Sequence, residues 1–210
     1  MNEVVEVRLA TGQDSVGHGS RLEEIGEIAV RLGVDLVMKE MEADQGADSG
    51  FVGDVEISPD APAWLLEAAF LRTLAPSHIL FLCVANSARS QLAEGLARSL
   101  APSGVRISSA GSAPTALRPQ AIEALAEIGL DISSHRSIGI DEVELPVEAV
   151  ITLCAEEVCP VWLEPVARLH WRLPDPAAAI GSAGDDIEAF REVRDELSKR
   201  LRVLFKGSLP

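Results

Sequence analysis

The chain has 210 residues, enough for one generous domain or for a domain with a small companion. Its formal net charge is −15, which argues against a nucleic-acid partner, because a backbone binder needs a clustered basic surface. A 47% apolar composition supplies a core, yet no run approaches the roughly 20 apolar residues that span a bilayer. The opening MNEVVEVRLA holds no basic stretch leading into an apolar one, so a cytoplasmic chain with no membrane partner is expected.

The acidic excess is uneven: residues 1–77 carry 15 acidic and 5 basic side chains. In chain order, Val5, Val7 and Leu9 alternate with Glu6 and Arg8, which is strand periodicity. Ser20 followed by Glu23 has capping-box spacing, and Leu22, Ile25, Ile28, Ala29 and Leu32 then share a helical face that Gly33 closes. Asp35–Met41 reads as a second strand, 43–53 as a polar loop, and Phe51–Ile57 as a weak third strand. Pro62 opens a helix with Trp64, Leu65, Ala68 and Leu71. These elements form a small βαββα, α+β unit over residues 1–77.

The second segment, 78–210, alternates strands and helices. His78–Cys83 is a short apolar strand, followed by a loop and a helix bearing Leu92, Leu96 and Leu100. Val105–Ser109 is the next strand. Pro119 opens a helix with Ile122, Leu125 and Ile128, which Gly129 stops. Ala149–Cys154 and Ala167–His170 are two more strands, and Asp185 or Asp186 caps a last helix carrying Ile187, Phe190, Val193, Leu197 and Leu201. The alternation predicts an α/β fold: a four-stranded parallel sheet with helices on both faces.

Chemistry concentrates at Cys83-Val84-Ala85-Asn86-Ser87-Ala88-Arg89-Ser90, between a buried strand and a helix. A loop wrapping into a helix N-terminus aims several backbone N–H groups at one point and adds the positive end of the helix dipole. That field binds a tetrahedral oxyanion and favours the thiolate of Cys83 as nucleophile. Arg89 can grip two oxygens of the anion, and Ser90 can donate its hydroxyl to the sulfur. Taken alone, a Cys-x5-Arg pattern also fits a buried strand-end thiol. Cys154 ends another strand of the same sheet, on the edge where catalytic groups gather, and Cys159 follows in a loop; two unrelated buried thiols would read the same way. Asp175 before Pro176 is, by itself, an ordinary turn aspartate. His135, His170 and Trp171 read as structural, and no His/Cys cluster calls for a metal.

The segment Ile79-Leu80-Phe81-Leu82-Cys83-Val84-Ala85-Asn86-Ser87-Ala88-Arg89-Ser90-Gln91-Leu92-Ala93-Glu94-Gly95 resembles the opening of arsenate reductases related to low-molecular-weight tyrosine phosphatases. Ser109-Ala110-Gly111, Asp131-Ile132-Ser133-Ser134-His135-Arg136-Ser137, His170-Trp171 and Asp175-Pro176-Ala177 follow in the same order, over about residues 78–205. The resemblance implies a low-molecular-weight phosphatase-like domain that reduces arsenate without an organic cofactor. It implies Cys83 as nucleophile, Asp175 as general acid and a disulfide relay through Cys154 and Cys159, recharged by thioredoxin or a similar thiol reductant.

Two departures stand out. Only four residues separate Cys154 from Cys159, against about six in familiar three-cysteine members. Some relatives also hold potassium with an Asn, a Glu, a Ser and an Asp; Asn86, Glu94 and Ser109 match, but Ile138 stands at the Asp position, so no potassium dependence is expected. The alternative activity is hydrolysis of phosphotyrosine or small phosphate esters. Ala177-Ala178-Ala179 after the acid, in a chain without tyrosine, offers no ring to stack on an aryl substrate. Residues 1–77 resemble nothing recognised.

Overall fold

A computed structural model describes residues 4–10, 15–41, 50–58, 60–155, 160–178 and 187–208. Cys159, most of the polar 43–53 loop and the cap expected at Asp185 or Asp186 lie outside the described residues. The chain divides into two compact units, Met1–Ala75 with Arg202–Pro210, and Pro76–Leu201. The last nine residues therefore group with the first unit rather than with the segment that precedes them.

In the first unit, strand β1 (Val4–Ala10) is followed by helix α1 (Ser15–Leu32) and strand β2 (Asp35–Met41). Strands β3 (Gly50–Val52) and β4 (Val55–Ile57) come next, then helix α2 (Ala63–Leu74). The sheet order is β2-β1-β3-β4, with β1 and β2 parallel and the other pairs antiparallel.

Two expectations are corrected here. The stretch 51–57 is a hairpin rather than one strand, because Gly53 adopts φ +59 and reverses the chain, so the unit is βαβββα. Helix α1 begins at Ser15, which leaves Ser20 inside it and not at its cap. The helix runs through Gly17 and Gly19 despite the low helix propensity of glycine. Its other end is as expected: Gly33 takes φ +70, and Val34 N–H returns to Ala29 O. Val5, Val7, Ile25, Ile28, Leu65, Leu66 and Phe70 are buried. Arg72 clamps Asp54 at 2.8 and 2.7 Å and donates to Leu204 O at 3.2 Å, tying the chain's last turn to this unit.

In the second unit, strand β5 (His78–Cys83) leads into helix α3 (Arg89–Leu100) and strand β6 (Arg106–Gly111). Helix α4 (Pro119–Ala126), strand β7 (Ala149–Cys154), strand β8 (Ala167–Leu173) and helix α5 (Ile187–Lys206) follow, and α5 runs on into the first unit. All four strands are parallel, in the order β6-β5-β7-β8, with helices on both faces, as the alternating pattern required. β6 begins one residue later and runs two further than the pattern suggested, and β8 extends to Leu173.

Every residue of β5 is buried, the condition of a central strand in a parallel sheet. Leu80, Leu82, Ala110, Val147, Val150 and Trp162 form one packed cluster, covered by Ile138, Ile140, Val143 and Val166. Leu92 and Leu96 of α3 and Phe190, Val193 and Leu197 of α5 are buried along one helical face each. Among the described residues, no helix is long and apolar enough to cross a membrane.

At the start of β5, His78 is buried, with Nδ1 2.7 Å from Pro146 O and Nε2 2.7 Å from Ser108 Oγ. The carbonyl requires a proton on Nδ1, so neutral His78 donates to Pro146 and accepts from Ser108. Burial pushes its pKa down from the ordinary value of 6.5. A group depressed in the folded state stays neutral there while the unfolded chain takes up the proton. Stability is therefore full above 6.5 and declines as pH falls through that value towards the lowered one. Urea unfolding at neutral and mildly acidic pH should show this loss, and His78→Gln should flatten it. An unchanged pH slope in the variant would put the acid sensitivity elsewhere.

Candidate active site

The loop 84–88 joins the end of β5 to the start of α3, and its conformation follows from where its carbonyls go. Val84 O accepts from Ala113 N at 2.9 Å, Ala85 O from Thr115 N at 3.0 Å and Ser87 O from Arg118 N at 2.9 Å. Asn86 O accepts from Ser137 Oγ at 2.6 Å and Gln91 Nε2 at 3.2 Å, and Ala88 O from Leu92 N at 2.9 Å. Five consecutive carbonyls are thus drawn outward, mostly by the strap 113–118 after β6. In a planar trans peptide the next N–H points opposite to the carbonyl. The N–H groups of residues 85, 86 and 88 accordingly face away from the strap, towards the interior of the loop. Such a ring of N–H donors at a helix N-terminus is an anion cradle.

Two residues allow the loop to lie so close. Asn86 sits at φ +45, a left-handed conformation that Asn adopts more readily than most residues. A Cβ on Gly111 would stand 2.4 Å from Val84 O and 2.8 Å from Asn86 N, so the end of β6 must be glycine for the loop to rest on it.

Cys83 is buried at the C-terminal end of β5, its Sγ 2.9 Å from Ser90 Oγ in the first turn of α3. Arg89 is buried. Its Nη1 donates to Leu173 O at 3.3 Å, and its Nη2 lies 3.6 Å from Asp175 Oδ2. The aspartate is partly exposed, and its Oδ1 accepts from Ala177 N at 3.1 Å in the turn after Pro176. The Arg89 guanidinium and the carboxyl expected to supply protons are therefore side by side.

Cys154 ends β7, the strand beside β5, in the register Leu82↔Thr152. It is buried and pairs with Leu173 after an irregularity between Thr152 and Cys154. Leu173 is the residue whose carbonyl holds Arg89, so Cys154 lies on the sheet edge that carries the cradle. His170 Nδ1 is 2.6 Å from Thr152 Oγ1, and Trp171 is fully buried with Arg200 5.9 Å from its ring centre.

Behind the loop, Asn86 Nδ2 donates to Ser90 Oγ at 2.9 Å and Ser109 Oγ at 2.7 Å, and Ser109 Oγ donates to Glu94 Oε2 at 2.5 Å. The three residues matched to a cation set do gather. They are engaged with one another, Glu94 carries Arg98 at 2.5 Å, and Ile138 contributes a main-chain N–H to Asn86 Oδ1 at 2.8 Å. Among the described residues no group of three His, Cys, Asp or Glu could hold a metal. Sequence reasoning missed Arg98, Gln91 and the strap 113–118. The i,i+4 spacing of Glu94 and Arg98 was a readable signal for the first; main-chain donors in the strap leave none.

A family model described as low molecular weight phosphotyrosine protein phosphatase matches residues 78–209. The chain belongs to this family. Within it, an arsenate reductase of Halalkalibacterium halodurans is 41% identical over 127 residues, which are 59% of this chain and 91% of the relative. The crystal structure of an arsenate reductase from Archaeoglobus fulgidus DSM 4304 is similar at a TM-score of 0.53 and 30% identity, over 61% of this chain and 98% of that one. A structure of an arsenate reductase in the phosphate binding state gives 0.52 and 32%, over 63% and 99%. The matched region of this phosphatase-family chain contains the cradle, Arg89, Asp175 and all three cysteines; the first 77 residues lie outside it.

The closeness of Gly111 to the loop makes a direct prediction. Gly111→Ala should push the anion loop out of place and weaken inorganic phosphate binding by about 100-fold, the penalty of an ångström-scale misplacement. Protection of Cys83 from alkylation by phosphate measures it. Wild-type protection would mean that the strand end yields without disturbing the cradle.

Proposed function

We propose that this protein reduces arsenate to arsenite by thiol chemistry at Cys83. The observation that carries the reading is one sheet edge holding a buried thiol inside an N–H cradle, a guanidinium, a carboxyl and a second thiol on the neighbouring strand. Relatives 30–41% identical that are named arsenate reductases support it.

Arsenate enters the cradle of Val84, Ala85, Asn86, Ser87, Ala88 and Arg89, with its charge met by N–H dipoles and the guanidinium. The Cys83 thiolate, stabilised by Ser90, attacks arsenic; an arsenate oxygen departs as water with a proton from Asp175. Cys154 attacks the Cys83 sulfur, the sulfur–arsenic bond breaks, and its electron pair stays on arsenic as arsenite. Cys159 then attacks Cys154, freeing Cys83 and leaving a Cys154–Cys159 disulfide for an external dithiol, with a thioredoxin as the favoured reductant. Nothing in this cycle requires a metal or an organic cofactor. We assign the acidic residues 1–77 to a separate unit outside the chemistry, and the enzyme to the cytoplasm with no nucleic-acid or membrane partner.

Arsenate-dependent NADPH oxidation coupled through thioredoxin and its reductase tests the cycle. Wild type should turn over, Cys83→Ser, Cys154→Ser and Cys159→Ser should not, and Asp175→Asn should slow it by roughly 100-fold or more. Hydrolysis of an aryl phosphate by wild type, Cys154→Ser and Cys159→Ser alike, with no arsenate turnover in any, would make the protein a phosphatase instead.

A further inference from the structure

Each link in the hydrogen-bond chain behind Cys83 has a direction that the partners fix. Asn86 Oδ1 accepts from Ile138 N at 2.8 Å and Gln91 Nε2 at 3.2 Å, so the amide is held with Nδ2 turned the other way. Nδ2 gives its two hydrogens to Ser90 Oγ and Ser109 Oγ. Ser109 sends its own hydrogen to Glu94, because an ionised carboxylate only accepts. Ser90, an acceptor from Asn86, keeps its own hydrogen and gives it to Cys83 Sγ when that sulfur is the thiolate, which can only accept. A hydrogen bond donated to sulfur favours the thiolate.

We propose that Glu94, held by Arg98, is a positioning residue that sets the polarity of this chain and so keeps Ser90 donating to Cys83. A donor in place of the carboxylate would make Ser109 an acceptor and turn its hydrogen towards Asn86 Nδ2, which cannot accept. The amide would then have to turn, releasing Ile138 and Gln91, and Ser90 would donate to the amide oxygen instead of to the thiol.

The charged groups around Glu94 leave Arg98 as its partner at neutral pH. The Arg98 Nη2 contact is 2.5 Å, from a side chain about half exposed on α3. His135 stands on the other side of Arg98, its Nδ1 3.0 Å from Gln91 Oε1 and its Nε2 3.3 Å from Arg98 Nη1. A guanidinium can only donate, so His135 is neutral with its proton on Nδ1. Burial pushes its pKa below 6.5 against the pull of Glu94, while Arg98 lowers it and Asp131 raises it.

The proposal rests on Cys83 as nucleophile but not on which oxyanion it attacks, and the test separates the two. The rate of iodoacetamide modification of Cys83, read on its own peptide by mass spectrometry in the full chain, is followed from about pH 5 to about pH 9. Glu94→Gln should slow the reaction roughly tenfold near pH 6 and leave the alkaline plateau intact, because only the thiolate fraction changes. Ser109→Ala removes the link through which the change acts, so the double variant should react no slower than Ser109→Ala alone. Arg98→Gln, an exposed change that keeps the carboxylate, should move the profile the same way by a smaller factor, and it carries the test if Glu94→Gln does not fold. An unaltered profile, or a loss equal at every pH, would overturn the proposal, the second outcome marking a displaced loop. Failure of phosphate to protect wild-type Cys83 would remove the nucleophile assignment, and this proposal with it.

Discussion

The site depends on a single constraint: the carbonyls of residues 84–88 must all find partners outside the loop. An amide plane has two polar ends, and committing the oxygens outward commits the next N–H groups inward. Three of the five carbonyls are taken by the strap 113–118, one by Ser137 and Gln91, and one by α3 itself. The cradle is thus imposed by its surroundings. Local sequence contributes chiefly Asn86, which accepts the left-handed turn, and Gly111, which lets the strand end come within contact of the loop. The donors are already oriented when an anion arrives, so binding pays little reorganisation energy.

Parallel topology does the rest of the gathering. With β5 central and β7 beside it, the strand ends place Cys83 and Cys154 on one edge, and the β8 end brings Leu173 and Asp175 to Arg89. Three segments far apart in sequence, around Cys83, Cys154 and Leu173, come to one edge because parallel strands all finish on the same side. Thiol exchange needs such neighbours, since the attacking sulfur must reach the sulfur to which it bonds.

The second unit was largely legible in the sequence because its signals are redundant. Apolar strands such as Ile79–Leu82, the helix-period leucines of α3 and α5, and the stop at Gly129 each point to one structure. Boundaries drifted where pairing, not composition, decides them, as at β8, which continues through Trp171 to Leu173. The first unit was read less well. Its hairpin turns on Gly53 in a run whose alternation mimics a single strand, and α1 overrides two glycines. Of the site, the side chains assigned to the chemistry were recognisable by type and order. The strap was invisible because it acts through backbone N–H groups that any sequence except proline supplies.

The charge distribution reconciles an acidic protein with an anionic ligand. A net charge of −15 repels oxyanions at long range, but that field is screened beyond about 10 Å at ordinary salt. Inside the cradle the relevant charges are fixed dipoles and Arg89, which is buried and so poorly screened. Two-thirds of the excess, −10, sits in residues 1–77, which hold none of the residues assigned to the chemistry. Net charge therefore informs on partners and solubility, while affinity for an anion is decided by a few oriented groups. The same distinction applies behind the loop, where the Glu94 carboxylate adds a negative charge close to a thiolate. Its Coulombic effect opposes the anion, but Arg98 offsets it, and what remains is its demand for a hydrogen from Ser109. A carboxylate can therefore support an anion four hydrogen bonds away, because along a chain of fixed donors direction outweighs sign.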